Sequence, residues 1–370
     1  MNILRINTTT LVIASAGVVL LTACGHARHP SNQARAASAP PRMSTLKAAA
    51  APHQILISTA VNPAHLDEPE YAKVLATEFA GVEPENAMKF GPVHPRPNTD
   101  QHPYDFAPAE RLISFAEEHG MKVRGHTLVW HRQNPEWVTQ SNFDPMQLNS
   151  ILEDHIRTVV THFGTRVFAY DVVNEAFNDD GTLRDTIWYN QPGIGYAGQG
   201  TKYIEQAFQW AHAANPQAKL FYNDYGAEPI NKKSNAIYAM ARDFKARGVP
   251  ISGIGLQMHI TLNADTPENL QSLEANMKRI ADLGLEIHIT ELDIRLHSDD
   301  AASLAAQAKL YGEVVAACVH QPACKMIQTW GITDKYSWIP ETFAGYGWAL
   351  PWDRDYQKKP AFGAMLNALQ

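Results

Sequence analysis

The chain has 370 residues, of which 45% are hydrophobic and 19% charged, an ordinary folded composition that excludes disorder throughout. A formal charge of −7, with no block of Lys or Arg anywhere, excludes the electrostatic footprint of a nucleic-acid binder. Eight Trp and sixteen His suit a ligand cleft as well as a core.

After Arg5, the apolar run over residues 11–21 falls short of the roughly 18 residues that span a bilayer. It reads as the hydrophobic region of an export signal covering residues 1–23. Leu21-Thr22-Ala23-Cys24 closes the run and resembles a bacterial lipobox, with Cys24 as the expected lipidated residue and membrane anchor. Cleavage a few residues later, with Cys24 discarded, is the alternative. Gly25 follows where Asp retains some lipoproteins at the inner membrane, so the expected location is the outer membrane, or otherwise the periplasm or medium. Residues 24–51 are mostly Ala, Pro, Ser, Arg and Asn, a composition that cannot bury a core, and read as a flexible tether. The catalytic domain is then residues 52–370, expected as a monomer.

Eight β-prone runs follow, at residues 55–58, 79–83, 122–130, 168–175, 219–224, 253–259, 286–293 and 325–330. Between them, apolar residues recur at helical spacing over 109–119, 145–163, 203–215, 233–247, 267–283 and 301–319. Asp144-Pro145 and Thr266-Pro267 are helix starts, and Gly120, Gly248 and Gly284 are helix stops. Eightfold β/α alternation predicts parallel strands in an α/β fold, the closed (β/α)8 TIM barrel. An open doubly wound sheet would want a Gly-rich phosphate turn after its first strand, and none is present. Cys318 and Cys324 read as a disulfide in an exported chain, closing a short loop for about 2 kcal/mol; two reduced thiols are the alternative. A zinc site would lack its second ligand pair.

Chemistry in such a barrel sits at the C-terminal strand ends. There the sequence places Glu85, Asn86 and Lys89, then His126, Trp130 and His131, then Asn174 and Glu175, and Asn223. Gln257 and His259, Glu291 and Asp293, and Trp330 complete the ring. Glu291 and Asp293 share one face of their strand, with His288 on the other. Pairing with Arg295 or Lys89 would explain Asp293 as a structural acid, but not both glutamates. Two opposed carboxylates are the minimum for glycosidic cleavage.

Gly125-His126-Thr127-Leu128-Val129-Trp130-His131, Asp171-Val172-Val173-Asn174-Glu175, Gly253-Ile254-Gly255-Leu256-Gln257-Met258-His259, Ile289-Thr290-Glu291-Leu292-Asp293 and Trp330-Gly331 with Asp334, Ser337 and Trp338 closely resemble glycoside hydrolase family 10, the endo-β-1,4-xylanases. The resemblance runs from about Gln54 to the C-terminus. It implies hydrolysis of xylan or xylo-oligosaccharides by a retaining double displacement, without cofactor or metal. By the resemblance Glu175 is the general acid/base and Glu291 the nucleophile. Glu175 must start protonated, then act as base once the charge on Glu291 is consumed. Asn174 would bond the sugar 2-hydroxyl, and Asp293 would orient His259 against Glu291. Glu85, Asn86, Lys89, His126, Trp130 and Gln257 would grip sugar on the non-reducing side. Trp330 and Trp338 would cover apolar sugar faces, and Asn223 would lie near the acid/base as a further substrate contact.

Some residues stay open. His131 either serves the site or braces a loop. His288 reads as a packing histidine, Trp137, Trp188 and Trp210 as core or rim, and Trp348 and Trp352 as a roof over the cleft. Phe90 and Arg132 depart from the family pattern, which usually has Trp and a small polar residue there. Metal-dependent barrel hydrolases are the rival enzyme class, but residues 55–58 lack their first-strand ligands. A polysaccharide-binding protein on a degenerate barrel is the non-catalytic rival, and both acids are present against it.

Overall fold

The computed structural model describes residues 44–370. The expected signal peptide, Cys24 and most of the expected tether lie outside the described residues. Nine strands run through the rest: β1 (Leu56–Val61), β2 (Gly81–Pro84), β3 (Lys122–Gly125), β4 (Val167–Asn174), β5 (Lys219–Asp224), β6 (Gly253–Leu256), β7 (His259–Thr261), β8 (Glu286–Arg295) and β9 (Cys324–Thr329). Their order is β6-β5-β4-β3-β2-β1-β9-β8, all parallel, and β6 pairs again with β8. Eight strands therefore close into a barrel, and β7 rides on the outer end of β8.

One helix returns the chain after each barrel strand, at Pro69–Glu78, Ala107–Glu118, Pro145–Phe163, Lys202–Ala214, Lys232–Arg247, Pro267–Ala281, Ala301–His320 and Pro360–Ala368. Pro145–Phe163 shows why: Leu148, Leu152, Ile156, Val159 and Phe163 fall on one face and are buried. Its start is fixed by Asp144, whose carboxylate accepts from Gln147 N–H while the Gln147 side chain accepts from Asp144 N–H. The strands are covered on both faces, so β8 is almost continuously buried despite its acids. Cys318 and Cys324 form a disulfide that ties the end of Ala301–His320 to the start of β9.

Three expectations are corrected. The tether does not extend to residue 51, because Leu46–Ala50 form a helix capped by Thr45, with Leu46, Ala49 and Ala50 buried. Alanines that read as low-complexity linker are small enough to pack against the barrel. The third strand stops at Gly125 rather than 130, with only Val129 bridging back to Val173. The sixth strand breaks after Leu256: Met258 is left-handed (φ 68°), and His259 resumes in β7 opposite Asp293. That break delivers His259 to its carboxylate.

Candidate active site

The C-terminal strand ends surround a cleft of about 660 Å³. Its lining includes Glu85, Asn86, Lys89, His126, Trp130, Asn174, Glu175, Gln257, His259, Glu291, Trp330 and Trp338, with Arg132, Tyr225, Arg295 and Phe343 at its margins. Two residues singled out in the sequence lie beneath it instead. Asp293 is fully buried behind His259, in the place expected of it. Asn223 is a correction: it is 0% exposed and bonds protein on both sides, so it has no face for sugar. Its amide donates to Glu291 Oε1 at 2.7 Å and to Asn174 Oδ1 at 2.9 Å, while Thr290 Oγ1 donates to Asn223 Oδ1. Gly255 on the neighbouring strand makes room for it, since a Cβ there would collide with Asn223 Oδ1.

Glu291 is held by two donors. Besides Asn223, His259 Nε2 lies 3.0 Å from Glu291 Oε2, and His259 Nδ1 lies 2.8 Å from Asp293 Oδ2. Burial by itself lowers the pKa of His259, but the charges and hydrogen bonds of Asp293 and Glu291 outweigh it and raise it to about 10. At neutral pH the ring is an imidazolium that donates to both acids.

Glu175 has a different set of neighbours. Trp130 Nε1 donates to its Oε2 at 2.8 Å, and Gln257 Nε2 donates to its Oε1 at 3.1 Å. Asn174 Nδ2 lies 3.3 Å from the same Oε1. His131 stands 3.8 Å away, and burial pushes its pKa down to about 4, with Arg184 and Arg132 adding to the effect. Neutral donors thus surround Glu175, whereas a cation holds Glu291.

Also in the lining, Lys89 donates to Asn86 Oδ1 at 2.9 Å, with its ammonium 4.8 Å from the Trp130 ring centroid and 5.7 Å from that of Trp330. Burial lowers its pKa against the pull of Glu291 and Glu85. Burial likewise raises that of Glu85.

Below the cleft the barrel axis holds a charge cluster that motif reading leaves without roles. Arg124 is fully buried and pairs its guanidinium with Asp171, with Nε 3.1 Å from Glu83 Oε2. Asp171 Oδ2 accepts from His126 Nδ1 at 3.0 Å, which leaves the other ring nitrogen of His126 for the cleft. Burial and the charge of Asp171 push the Glu83 carboxyl well above the usual range. Glu83, His126 and Asp171 offer three ligand atoms within 4.8 Å of one another, the spacing of a metal site, but Arg124 already supplies the compensating charge there. Arg124 also donates to His288 Nδ1 at 2.7 Å, and burial holds His288 near a pKa of about 4. His288 further stacks on Phe221 and is a packed, hydrogen-bonded barrel histidine as expected, but it faces the barrel axis beneath the site rather than the far side of β8, whose register shifts between Ile287 and His288 and again between Ile289 and Leu292.

Trp188 and Trp210 are buried, and Trp137 packs against the same core. Trp348 and Trp352 do not roof the cleft: Trp352 packs between Phe79 and Phe362, and Trp348 stands outside the lining. Phe90 sits in a stack between His155 and Trp188, so its aromatic ring is core rather than rim.

The family model described as glycosyl hydrolase family 10 matches residues 45–368. Among curated proteins, the chain is similar to endo-1,4-beta-xylanase B of Thermotoga neapolitana, at 44% identity over 306 residues, covering 82% of this chain and 84% of that one. It is also similar to endo-1,4-beta-xylanase C of Phanerodontia chrysosporium, at 37% identity, covering 84% and 75%. Among solved structures, xylanase 10B from Thermotoga petrophila RKU-1 in complex with xylobiose superposes with a TM-score of 0.83 at 42% identity, covering 90% and 98%. Native xylanase 10B from Thermotoga maritima gives 0.81 at 44%, covering 88% and 98%.

Proposed function

The chain belongs to glycosyl hydrolase family 10, and from that premise we propose that it is an endo-1,4-β-xylanase in which Glu175 is the general acid/base and Glu291 the nucleophile. It hydrolyses internal β-1,4-xylosidic bonds of xylan and xylo-oligosaccharides by a retaining double displacement. The observation that carries the assignment of roles is the asymmetry of the two carboxylates: the His259 ring and the Asn223 amide clamp that of Glu291, while indole and amide donors alone bond that of Glu175.

In the first step Glu291 attacks the anomeric carbon as the Glu175 proton passes to the leaving oxygen, the glycosidic bond breaks, and a glycosyl ester forms. The negative charge facing Glu175 is then gone. Glu175, now a carboxylate, takes a proton from water as its oxygen attacks the anomeric carbon, and Glu291 leaves. Asn174, its Oδ1 fixed by Asn223 and Gln257, offers its remaining donor to the sugar 2-hydroxyl. Glu85, Asn86, Lys89, His126, Trp130 and Gln257 bind the glycone sugar, while Trp330 and Trp338 cover apolar sugar faces.

Incubation with xylan should release reducing ends, and NMR of early product should show the β anomer first. The α anomer first would reject Glu291 as nucleophile, and unshortened chains would favour a non-catalytic binder. For placement, the lipobox-like residues 21–24, followed by Gly25 rather than Asp, support anchoring to the outer membrane through lipid on Cys24. Cys24→Ala should release it from membranes with turnover unchanged, and a fully soluble wild type would reject the anchor.

A further inference from the structure

Glu175 has a backbone that its side chain does not favour. Its φ is 56°, the left-handed region, where a Cβ crowds the neighbouring carbonyl. A residue stays there only when its surroundings hold it. The hydrogen bonds that fix this turn reach the peptides on either side of the Glu175 Cα. Glu175 N–H donates to Asn223 O at 2.9 Å, and Glu175 O accepts from Arg184 Nε at 3.1 Å. The next peptide N–H, of Ala176, donates to the Tyr222 hydroxyl at 2.9 Å, while Ala176 O accepts from Arg184 N at 2.8 Å.

These donors and acceptors are themselves anchored. The Tyr222 hydroxyl donates to Asp224 Oδ2 at 2.5 Å, and Lys233 Nζ lies 3.1 Å from Asp224 Oδ1. All three side chains are fully buried, although neither Asp224 nor Lys233 reaches the cleft. Burial pushes the pKa of Asp224 up to about 7, even against Lys233 and the Tyr222 hydroxyl. Lys233 also donates to Tyr225 O at 2.9 Å, and Arg184 Nη2 donates to the Tyr225 hydroxyl at 3.2 Å. One buried network thus joins the turn after β4 to the loop after β5, and no bond in it touches the Glu175 carboxyl.

We infer that Tyr222 and Arg184 are positioning residues, which hold the left-handed peptide of Glu175 so that its carboxyl meets the leaving oxygen. A carboxyl displaced by a fraction of an ångström can still be folded and buried, yet no longer deliver its proton in line. The inference rests on reading Glu175 as the acid/base. It separates from a merely structural role through leaving-group chemistry. Only a substrate whose leaving group needs a proton should feel a misplaced acid.

The test compares Tyr222→Phe, Arg184→Met and Arg184→Lys in the full chain on two aryl xylobiosides, one releasing dinitrophenolate and one releasing unsubstituted phenolate. Active sites are counted from the dinitrophenolate burst, so that partial folding cancels. Expected per active site is a kcat/KM loss of about tenfold to a hundredfold on the phenyl substrate, against less than twofold on the dinitrophenyl one. Arg184→Lys should recover part of the loss. Equal losses on both substrates, or none on either, would overturn the inference. Arg184 lies outside the deep barrel and keeps the test open should Tyr222→Phe fail to fold. Glu175→Ala runs alongside: if it shows no selectivity for the phenyl substrate, the acid/base reading itself fails, whatever the other variants do.

Discussion

Trp338 donates its indole N–H to Asp293 Oδ2 at 2.8 Å, the same oxygen that takes His259 Nδ1. A residue expected as a sugar platform is therefore also a strut for the buried acid that keeps His259 charged. Asp293→Asn removes the main opposition to the desolvation of His259, whose pKa must fall from about 10. Glu291 would then lose its cationic partner at a lower pH. The expected outcome is a kcat/KM about tenfold to a hundredfold lower at neutral pH, with the titration of the His259 ring moved toward acid. NMR titration of the ring checks it together with the kinetics, and an unmoved ring titration would refute the role given to Asp293.

The same shift links stability to pH. His259 is raised from its ordinary 6.5 to about 10 in the folded chain, so its contribution is fully present below about pH 6.5 and is lost as pH rises through 10. The wild-type Tm should fall over that window. His259→Gln should show a shallower fall over the same range, measured by thermal unfolding in matched buffers. Equal slopes would show that the imidazolium does not stabilise the fold.

The Cys318–Cys324 bridge spans a sequence separation of 6 at the junction of a helix and β9, far from the carboxylates. A loop that short constrains the unfolded chain modestly. Replacing both cysteines by serine should cost about 2 kcal/mol and lower the Tm by several degrees, with kcat unchanged. A changed kcat with unchanged Tm would place the bridge in the catalytic apparatus instead.

Strand ends and local caps were legible because they are short-range. The run from Asp171 to Glu175 and the run from Ile287 to Asp293 each announce an apolar strand closing on acid, and the barrel follows from their repetition. Position along a strand says nothing about depth across it, however. Asn223 looked like a cleft residue because it lies near the end of β5, yet Gly255 on β6 opens a pocket that draws its amide beneath the site. The Arg124, Asp171 and Glu83 cluster was hidden for a similar reason. Its members come from the neighbouring strands β2, β3 and β4, and only the parallel pairing of those strands brings them together. Leu46–Ala50 misled in the other direction, since alanine-rich linker and alanine-rich packed helix have the same composition.

The two glutamates should separate by the leaving group they can tolerate. Glu175→Ala lacks the proton that a sugar alkoxide needs, so cleavage of xylan should fall by orders of magnitude. Dinitrophenolate leaves without that proton, and glycosylation of Glu291 from a dinitrophenyl xylobioside should survive. Deglycosylation then has no base for water, so the glycosyl ester should accumulate. Azide needs no deprotonation and can enter the space left by the missing carboxyl, and it should raise turnover and give a β-glycosyl azide. In Glu291→Ala the covalent step has no acceptor, and no leaving group compensates for that. Both substrates should be nearly inert, and azide attacking directly should give the α-azide. NMR of the azide products with burst kinetics decides the matter. The reverse pattern would exchange the two roles, and mild, equal losses would remove both residues from the chemistry.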